Sequence, residues 1–562
     1  MDAANYLSRS TQDIRTSVET FTDEVEGELE KISVFGVHLT RRVTVPICAC
    51  CVLIAIIVGV TVGTSSSSNG EVAHYGGGKG DDRFYALGNT IESSVGEKVF
   101  QKGTTEYQAL QWLANEDPLQ LPVNSKMEEI VERFVLVNLY YATNGPEWKK
   151  QFDFLTGKSV CEWNDNNLQD LGIYCDDKGK VNNVELSNNN LVGTLPEDIG
   201  LLTLVDEFRV AENALEGTVP SSLGIMQELI GLDLSKNKFH GVFSQSFGQL
   251  VNLENARFSF NNIQGFDGIG IWKQLPNLKE LHLNHNNITG FVGDWGNCES
   301  LVVLDLSHNQ ITGTIPDTNF GPGKALKYVY FTDNLISGPI GSTFLKNLVS
   351  LVKLDAAYNQ ITGTLPNEVG TLSTLETLRL TQNRMMGPLP PQLYSLGPSL
   401  KILDLDNNGF SGQIGDIGKL SNLETLRMKE NDFTGAIPNS VYGLTNLKVL
   451  DLNTNRLTED IPTAMGKLVN LEELFLNDNR LAGQISPELS NLQKLRLVNL
   501  SNNVFVGDMD AAFCTGSQSQ LKELKVDCLN SQVTCTCATH CCDEKGYCCD
   551  MMGGTACEVP NE

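Results

Sequence analysis

Positively charged side chains are scarce in this sequence. Its 562 residues carry 41 Lys and Arg against 68 Asp and Glu, which gives a formal net charge of −27 at pH 7. So acidic a chain lacks the basic surface that neutralises phosphates, and we expect no nucleic acid partner. Extensive disorder is also excluded, because 41% of the residues are hydrophobic and can form a core.

Motifs for catalysis are missing as well. The chain has only 7 His, and none stands in the His-Glu-x-x-His pattern of zinc hydrolases. A Gly-x-Ser-x-Gly nucleophile context does not occur either. We therefore expect a protein that is not an enzyme and that holds no metal and no cofactor.

Long hydrophobic runs are absent except for one. Residues 43–63 contain no charged side chain, and about 20 apolar residues span a bilayer as a helix. Arg41 and Arg42 precede the run, which predicts a transmembrane signal anchor with a cytosolic amphipathic segment at 1–42 and the remainder extracellular or lumenal. We favour the plasma membrane, with an internal membrane as the alternative. The alternative is a cleaved signal peptide with a long leader.

Composition divides the exterior part into four segments. Gly and Ser at 64–102 predict a flexible stalk. Helical, apolar sequence then predicts an N-terminal cap over 103–182, where Cys161 and Cys175 are the candidate disulfide. Repeats fill 183–512, and 513–562 form a Cys-rich C-terminal cap.

Leu and Asn recur together in the repeat segment. The pattern LxLxxNxLxG repeats about 14 times at steps of 23 to 25 residues. The Asn positions are 189, 213, 237, 261, 286, 309, 334, 359, 383, 408, 431, 455, 479 and 503. This period is typical of the leucine-rich repeat, a strand and an irregular or helical return per unit. It predicts an α/β solenoid, a right-handed superhelix in which the Asn amides satisfy backbone groups as a ladder.

Several repeat units resemble the plant-type leucine-rich repeat, namely NLVGTLPEDIG, QITGTIP, QITGTLPNEVG and DFTGAIPNSVYGL. The cap, with CEW and YC around its cysteines, resembles the domain that precedes the repeats of plant receptor kinases and receptor-like proteins. YQALQWLANEDP, ERFVLVNLYYATNGPEW and CTCATHCC resemble diatom leucine-rich-repeat membrane proteins more closely. Unlike plant receptors, this chain has its predicted anchor before the repeats and no kinase.

The resemblance implies a receptor-like recognition protein whose concave face binds a protein, peptide or polysaccharide. A co-receptor in the cytosol or membrane would then carry any signal. Two other interpretations remain open. One is a structural or adhesive protein that binds wall material, and the other is a tethered inhibitor of wall-degrading enzymes.

One exposed position per strand can be read from the repeat. In chain order these positions hold Glu185, Arg209, Asp233, Arg257, His282, Asp305, Tyr330, Asp355, Arg379, Asp404, Arg427, Asp451, Phe475 and Asn499. Strands in a sheet lie about 4.8 Å apart, so the charges at each end of the series should form rows of alternating sign. We interpret these rows as structural.

The series changes character between the two charged rows. Imidazole and phenol groups gather there, and such side chains are enriched at interfaces. The candidate ligand-binding residues are His282, His285, His308, Tyr328, Tyr330 and Tyr358.

Two further features fit an exterior location. Asn287 and Asn499 begin glycosylation sequons. The eight cysteines between 528 and 557 predict a disulfide knot of undetermined connectivity, with a zinc cluster as the alternative. Cys514 makes the local count odd, so one thiol could remain free.

Overall fold

The computed structural model describes residues 79–165, 171–267, 270–290, 298–315, 325–514, 520–528, 533–542 and 548–550. All of them belong to one compact unit. The predicted cytosolic segment 1–42, the run 43–63 and the first part of the predicted stalk lie outside the described residues.

The predicted fold class needs one correction. Among the described residues, no helix is long and apolar enough to cross a membrane. The predicted transmembrane helix is therefore not supported. The fold that the structure supports is one of parallel strands stacked as a leucine-rich-repeat solenoid, with a helical cap before them.

The principal element is an inner sheet of 18 strands. Sixteen strands run parallel, and they cover Val181–Glu185, Glu207–Arg209, Gly231–Asp233, Asn255–Arg257, Glu280–His282, Val303–Asp305, Tyr328–Tyr330, Lys353–Asp355, Thr377–Arg379, Ile402–Asp404, Thr425–Arg427, Val449–Asp451, Glu473–Phe475, Leu497–Asn499, Glu523–Val526 and His540–Cys542. Antiparallel strands Gly172–Cys175 and Cys548–Asp550 close the two ends.

Alternation of side chains explains why each strand is short and fixed in register. The central residue, such as Leu281 or Leu304, is 0% exposed, whereas its two neighbours are half-buried on the other face. A shift by one residue would expose the Leu and bury the polar neighbours. The core is therefore a single stack of apolar side chains behind the sheet.

A second set of short strands lies on the returns of the units. They cover Val192–Thr194, Ala214–Thr218, Lys238–Phe243, Asn262–Phe266, Thr312–Thr314, Leu335–Gly338, Gln360–Gly363, Arg384–Gly387, Gly409–Gly412, Asp432–Gly435, Arg456–Leu457, Ala482–Gly483, Val504–Phe505, Gly507–Asp508 and Val533–Thr534.

Short 3-10 helices complete the units and the cap. They cover Glu97–Phe100, Gly145–Glu147, Val160–Glu162, Glu197–Leu201, Ser221–Ile225, Gln245–Gln249, Trp272–Gln274, Asn367–Thr371, Pro391–Leu396, Ile417–Lys419, Asn439–Gly443, Thr463–Lys467 and Pro487–Asn491. Two α-helices also lie on returns, Ser342–Asn347 and Asp510–Phe513.

The Asn ladder connects each unit to the one before it. Nδ2 of Asn431 donates to the carbonyls of Leu405, Met428 and Lys429 at 3.0, 3.2 and 3.0 Å. Its Oδ1 accepts from the backbone N–H of Phe410 at 3.0 Å. Leu405 and Phe410 belong to the preceding unit, so one buried amide satisfies backbone groups of two units.

Three α-helices form the N-terminal cap: α1 (Lys79–Val95), α2 (Thr105–Asn115) and α3 (Met127–Ala142). Helix α1 differs from the predicted flexible stalk over 64–102. Leu87 and Ile91 are fully buried in the common core, and Phe84 packs edge-on against Tyr107 of α2. The apolar spacing of 84, 87 and 91 is helical, although Gly-rich sequence precedes it.

A buried ion pair fixes the cap. The guanidinium of Arg133 on α3 lies 2.6 Å from the carboxylate of Asp117, with both side chains at most 1% exposed. The same guanidinium donates to the carbonyls of Thr156 and Lys158 and lies 4.8 Å from the ring centroid of Trp163. Four of the five guanidinium N–H groups thus donate to carboxylate or carbonyl oxygens, and such pairing offsets the cost of burying the charge.

The parallel sheet continues into the predicted Cys-rich cap, through Glu523–Val526 and His540–Cys542. Three disulfides join Cys514 to Cys537, Cys528 to Cys541 and Cys542 to Cys548. The thiol of Cys535 lies 3.9 Å from the sulfur of Cys514, and burial raises its pKa to about 11. Strand pairing and disulfides together cover the last apolar layer of the repeats.

Candidate functional site

The exposed positions of the inner sheet lie side by side along one row. Strand register places Glu185 beside Arg209, Arg209 beside Asp233 and Asp233 beside Arg257. The same register joins Asp355, Arg379, Asp404, Arg427 and Asp451. The predicted order of charges along the sheet is therefore the order in the structure.

The ion pairs within these rows also use a second position on each strand. Arg209 lies 3.8 Å from the carboxylate of Glu185 but only 2.8 Å from that of Glu207. Arg257 pairs with Glu280 at 2.9 Å, and the nearest carboxylate recorded for Arg427 is that of Glu473, at 3.8 Å. Charges at the first residue of these strands thus neutralise charges at the third residue. The sequence analysis considered only the third residue and missed the first.

Reversing one charge in this row tests its structural role. We expect Arg427→Asp to lower the melting temperature more than Arg427→Leu does. The aspartate would stand between Asp404 and Asp451, whereas Leu removes only an exposed pair that contributes about 0–1 kcal/mol. Thermal denaturation at low salt measures the difference, and equal effects of the two substitutions would refute the charge-row interpretation.

The six candidate binding residues lie on the repeats around and between the charged series that ends at Arg257 and the one that begins at Asp355. They separate into two lines. His282, Tyr328 and Tyr330 stand on the inner strands themselves. Nε2 of His282 lies 3.7 Å from the carboxylate of Glu280. The ammonium of Lys353, on the next strand, lies 4.6 Å from the ring centroid of Tyr330, where the ring face attracts a cation.

His285, His308 and Tyr358 belong to the second line, which follows the turn after each strand. Backbone hydrogen bonds between successive turns keep this line in register, in the order Phe260, His285, His308, Asp333, Tyr358. Each of the five has a positive φ between 54 and 57°. That left-handed conformation turns each side chain away from the strand, and the residue before the ladder Asn adopts it throughout the repeats.

The rings of this second line are stacked. Phe260 and His285 have centroids 4.2 Å apart at an interplanar angle of 15°, and His285 and His308 lie 4.1 Å apart at 9°. Nδ1 of His308 hydrogen-bonds the carboxylate of Asp333 at 2.9 Å. The line begins and ends on exposed aromatic side chains, with Phe260 46% and Tyr358 51% exposed.

Electrostatics keeps the centre of the stack neutral. Burial lowers the pKa of His285, and the neighbouring His308 lowers it further because two adjacent imidazolium ions repel each other. Near neutral pH the imidazole of His285 is therefore uncharged, and the stack ends beside the carboxylate of Asp333. We name the two lines together, including Phe260, Asp333 and Lys353, the aromatic patch.

Phe260, Asp333 and Lys353 escaped the sequence analysis. Phe260 and Asp333 directly precede ladder asparagines, as His285, His308 and Tyr358 do. Listing the residue before each ladder Asn would have found them. Lys353 is the first residue of its strand. The sequence analysis considered that position on one strand only, where it holds Tyr328.

The remaining predicted residues are not part of the patch. Cys161 and Cys175 are bonded in the cap with an S–S distance of 2.04 Å. Asn287 is exposed just after the turn. Asn499 lies on the inner sheet, and its Oδ1 accepts hydrogen bonds from the backbone and hydroxyl of Ser501.

One group of three potential metal ligands is found in the described part of the chain. It comprises Cys514, Cys535 and Cys537. Two of these sulfurs are already bonded to each other, so the group lacks the separate thiolates that a zinc site requires.

Comparison with known proteins agrees with this fold. Models of the leucine-rich repeat match residues 398–540, described as a leucine-rich repeat region, and residues 259–311 and 350–372. The repeats and the stacked parallel strands form a leucine-rich-repeat scaffold, a fold that typically serves as a binding surface. No curated protein matches the chain significantly.

Solved structures are similar to it over most of the described region. "Crystal structure of PEPR1-AtPEP1" is 26% identical with a TM-score of 0.61, and the match covers 70% of this chain and 58% of that one. The plant peptide hormone receptor RGFR1 in complex with RGF2 is 24% identical over 65% of this chain and 72% of that one, with a TM-score of 0.45. LRR protein LIC12759 of Leptospira interrogans is 26% identical over 61% and 88%, with a TM-score of 0.49. The chain spans little more than half the length of the PEPR1 structure.

Proposed function

We propose that this protein is a receptor-like recognition protein that binds a peptide or an extended protein segment across the aromatic patch. The observation that carries the proposal is the continuous stack from Phe260 to His308, which ends at Asp333 and the exposed Tyr358. Flat, rigid side chains of this kind supply contact area at a small cost in side-chain entropy, and they dominate binding energies at interfaces.

The charged rows on either side support this assignment of the patch. Their ion pairs neutralise each other, so a ligand gains little by displacing them. Within the patch, Lys353 and Asp333 offer one charge of each sign, which suits the main-chain polar groups and mixed side chains of a peptide. The likeness to PEPR1-AtPEP1 supports a ligand-binding use of the same fold.

The proposal also places the repeats outside the cytosol and includes a co-receptor as a partner. Four disulfides in the described residues favour an oxidising compartment outside the cytosol. A signal, if the ligand elicits one, would pass through a co-receptor. The likeness to diatom leucine-rich-repeat proteins, which depends on cap and tail motifs, also remains part of the proposal.

Panning a displayed peptide library against the full chain tests the proposal. We expect enriched peptides to bind Tyr328→Ala/Tyr330→Ala/Tyr358→Ala at least tenfold more weakly than wild type. Removal of three aromatic anchors costs more than 1 kcal/mol, the scale of an interface hot spot. Surface plasmon resonance measures the affinities.

Tyr85→Ala is the matched control, because this tyrosine is 58% exposed on α1. Its affinity for the same peptides should equal that of wild type. Enriched peptides that bind the triple variant unchanged, or a library that yields no specific peptide, would contradict binding at the patch.

A further inference from the structure

A cavity of about 1050 Å³ lies between the helical cap and the first repeats. The end of α1, the start of α2 and the 3-10 helix Glu97–Phe100 line one side. The 3-10 helices Glu197–Leu201 and Ser221–Ile225 line the other. None of its lining residues belongs to the inner sheet or to the aromatic patch, so it is a separate site.

Carboxyl groups dominate the lining of this cavity. Glu92, Glu97, Glu106, Glu197 and Asp198 face a single basic residue, Lys98. Glu197 already accepts from the backbone N–H groups of Ser221 and Ser222 at 3.2 and 3.1 Å, so it has a structural task. Within the described part of the chain, no ion pair is recorded for the other four carboxyl groups.

Asp198 is a buried carboxyl group with only part of its hydrogen-bonding capacity used. Its side chain is 8% exposed, and its Oδ2 accepts from Nδ2 of the fully buried Asn138 at 2.9 Å. Among the described residues, its Oδ1 has no hydrogen-bond partner, and neither has the buried hydroxyl of Ser222 in the same lining. Buried polar atoms without partners cost about 1–3 kcal/mol each, which points to a ligand that satisfies them.

Burial raises the pKa of Asp198 to about 7, with the nearby Glu106 adding to the rise, while Asn138 and Lys98 oppose it. A cation beside this carboxyl would favour its charged form and lower its pKa. Binding near pH 7 would then release a proton.

The apolar part of the lining distinguishes an organic cation from a metal ion. Val95, Phe100, Leu201 and Ile225 line the same cavity, and Ile225 is 44% exposed. Among the described residues, the cavity holds no three ligand atoms within 4.8 Å of one another. Apolar walls with a few convergent polar groups are typical of small-molecule sites.

We propose that this cavity binds an aliphatic amine, with its ammonium group at Asp198 and Glu106 and its hydrocarbon chain against Ile225 and Leu201. Two sources supply this chemistry, a free polyamine and the lysine side chain of a peptide. The proposal does not depend on the function assigned to the aromatic patch, since the two sites share no residue.

Calorimetric titration of the full chain with spermidine, and separately with a capped Gly-Lys-Gly peptide, tests the proposal. We expect saturable binding of at least one probe, a Kd at least tenfold higher in Glu106→Gln and Asp198→Asn, and no binding to Ile225→Lys. In Ile225→Lys, the introduced ammonium would occupy the amine site. Because Ile225 is exposed, this variant should fold, so the proposal stays testable even if Asp198→Asn does not fold. Titration at pH 7 in two buffers of different ionisation enthalpy should show proton release by wild type and not by Asp198→Asn.

Glu472→Gln is the matched control, because this half-exposed carboxylate lies far along the repeats beside Arg496 and should leave the Kd unchanged. The proposal is overturned if neither probe saturates, if Glu472→Gln weakens binding as much as Glu106→Gln, or if Ca²⁺ binds and both amines do not. Peptide binding at the aromatic patch is measured with different variants, so either proposal can fail alone.

Discussion

Asn431→Ala is expected to lower the free energy of unfolding by about 3–4 kcal/mol. The substitution removes a buried amide that donates to three carbonyls and accepts from the N–H of Phe410. These backbone groups lie behind the sheet, where the side chain itself is only 8% exposed. They would lose their partners without gaining water, and the loss affects two units together. Urea denaturation followed by circular dichroism measures the change.

Asn367→Ala serves as the control for this experiment. Asn367 is exposed at the start of a 3-10 helix and has no recorded side-chain hydrogen bond among the described residues. We expect its replacement to change stability by less than about 0.5 kcal/mol. Equal losses in the two variants would show that the ladder contributes no more than any surface amide.

Asp406→Asn is expected to stabilise the protein above neutral pH by about 4 kcal/mol, with no gain near pH 4. Asp406 is 3% exposed, and burial together with the adjacent Asp404 raises its pKa to about 7. Between pH 4 and 7 the folded chain keeps this proton while the unfolded chain loses it. Wild-type stability therefore falls as the pH rises through this window, and the Asn variant lacks this loss.

The substitution should preserve local structure, because Asn453 and Asn477 occupy the same position in later units. An Asn side-chain oxygen can also accept from the N–H of Lys429, as Asp406 does at 2.8 Å. Melting temperatures at pH 4, 6 and 8 measure the effect. Asp416→Asn is the control, since the pKa of the exposed Asp416 is lowered by its hydrogen bond with Lys419 and no gain above pH 7 is expected. A pH-independent difference between Asp406→Asn and wild type would contradict the argument.

Periodic features of this fold could be predicted from sequence because each repeat imposes the same local constraint fourteen times. The Leu positions had to point inward, and that fixed the strand register and the neighbours of Arg379 and Arg427. The ladder followed from an Asn that recurs at a turn with unsatisfied backbone groups. Both inferences use only spacing and hydrogen-bonding capacity.

Features that depend on a single segment were harder to predict. Helix α1 packs through Phe84, Leu87 and Ile91, but the Gly-rich run before it directed attention to linker composition. The transmembrane helix predicted from the hydrophobic run at 43–63 is not supported by any helix of the described residues, and the run itself lies outside them.

A third of the aromatic patch was also missed, for a different reason. The sequence pattern shows which residues are outside the core. It does not show the left-handed φ of 57° at Phe260 and 56° at Asp333, which the backbone of the turn determines. That conformation aligns side chains from successive turns into a stack. The sequence analysis considered the strand positions in order and did not follow the turn as a line of its own.

The constant spacing of the turns places the side chains of this surface at regular intervals. From Phe260 to Tyr358 the line crosses four steps between strands, about 19 Å at 4.8 Å per step. An extended peptide advances about 3.3 Å per residue, so three of its residues match about two steps and six cover the line. Because successive side chains of an extended strand point to opposite faces, the same face of a bound strand meets the line in the same phase only at every sixth residue. Ligands with anchoring side chains six residues apart should therefore be selected over others of equal composition.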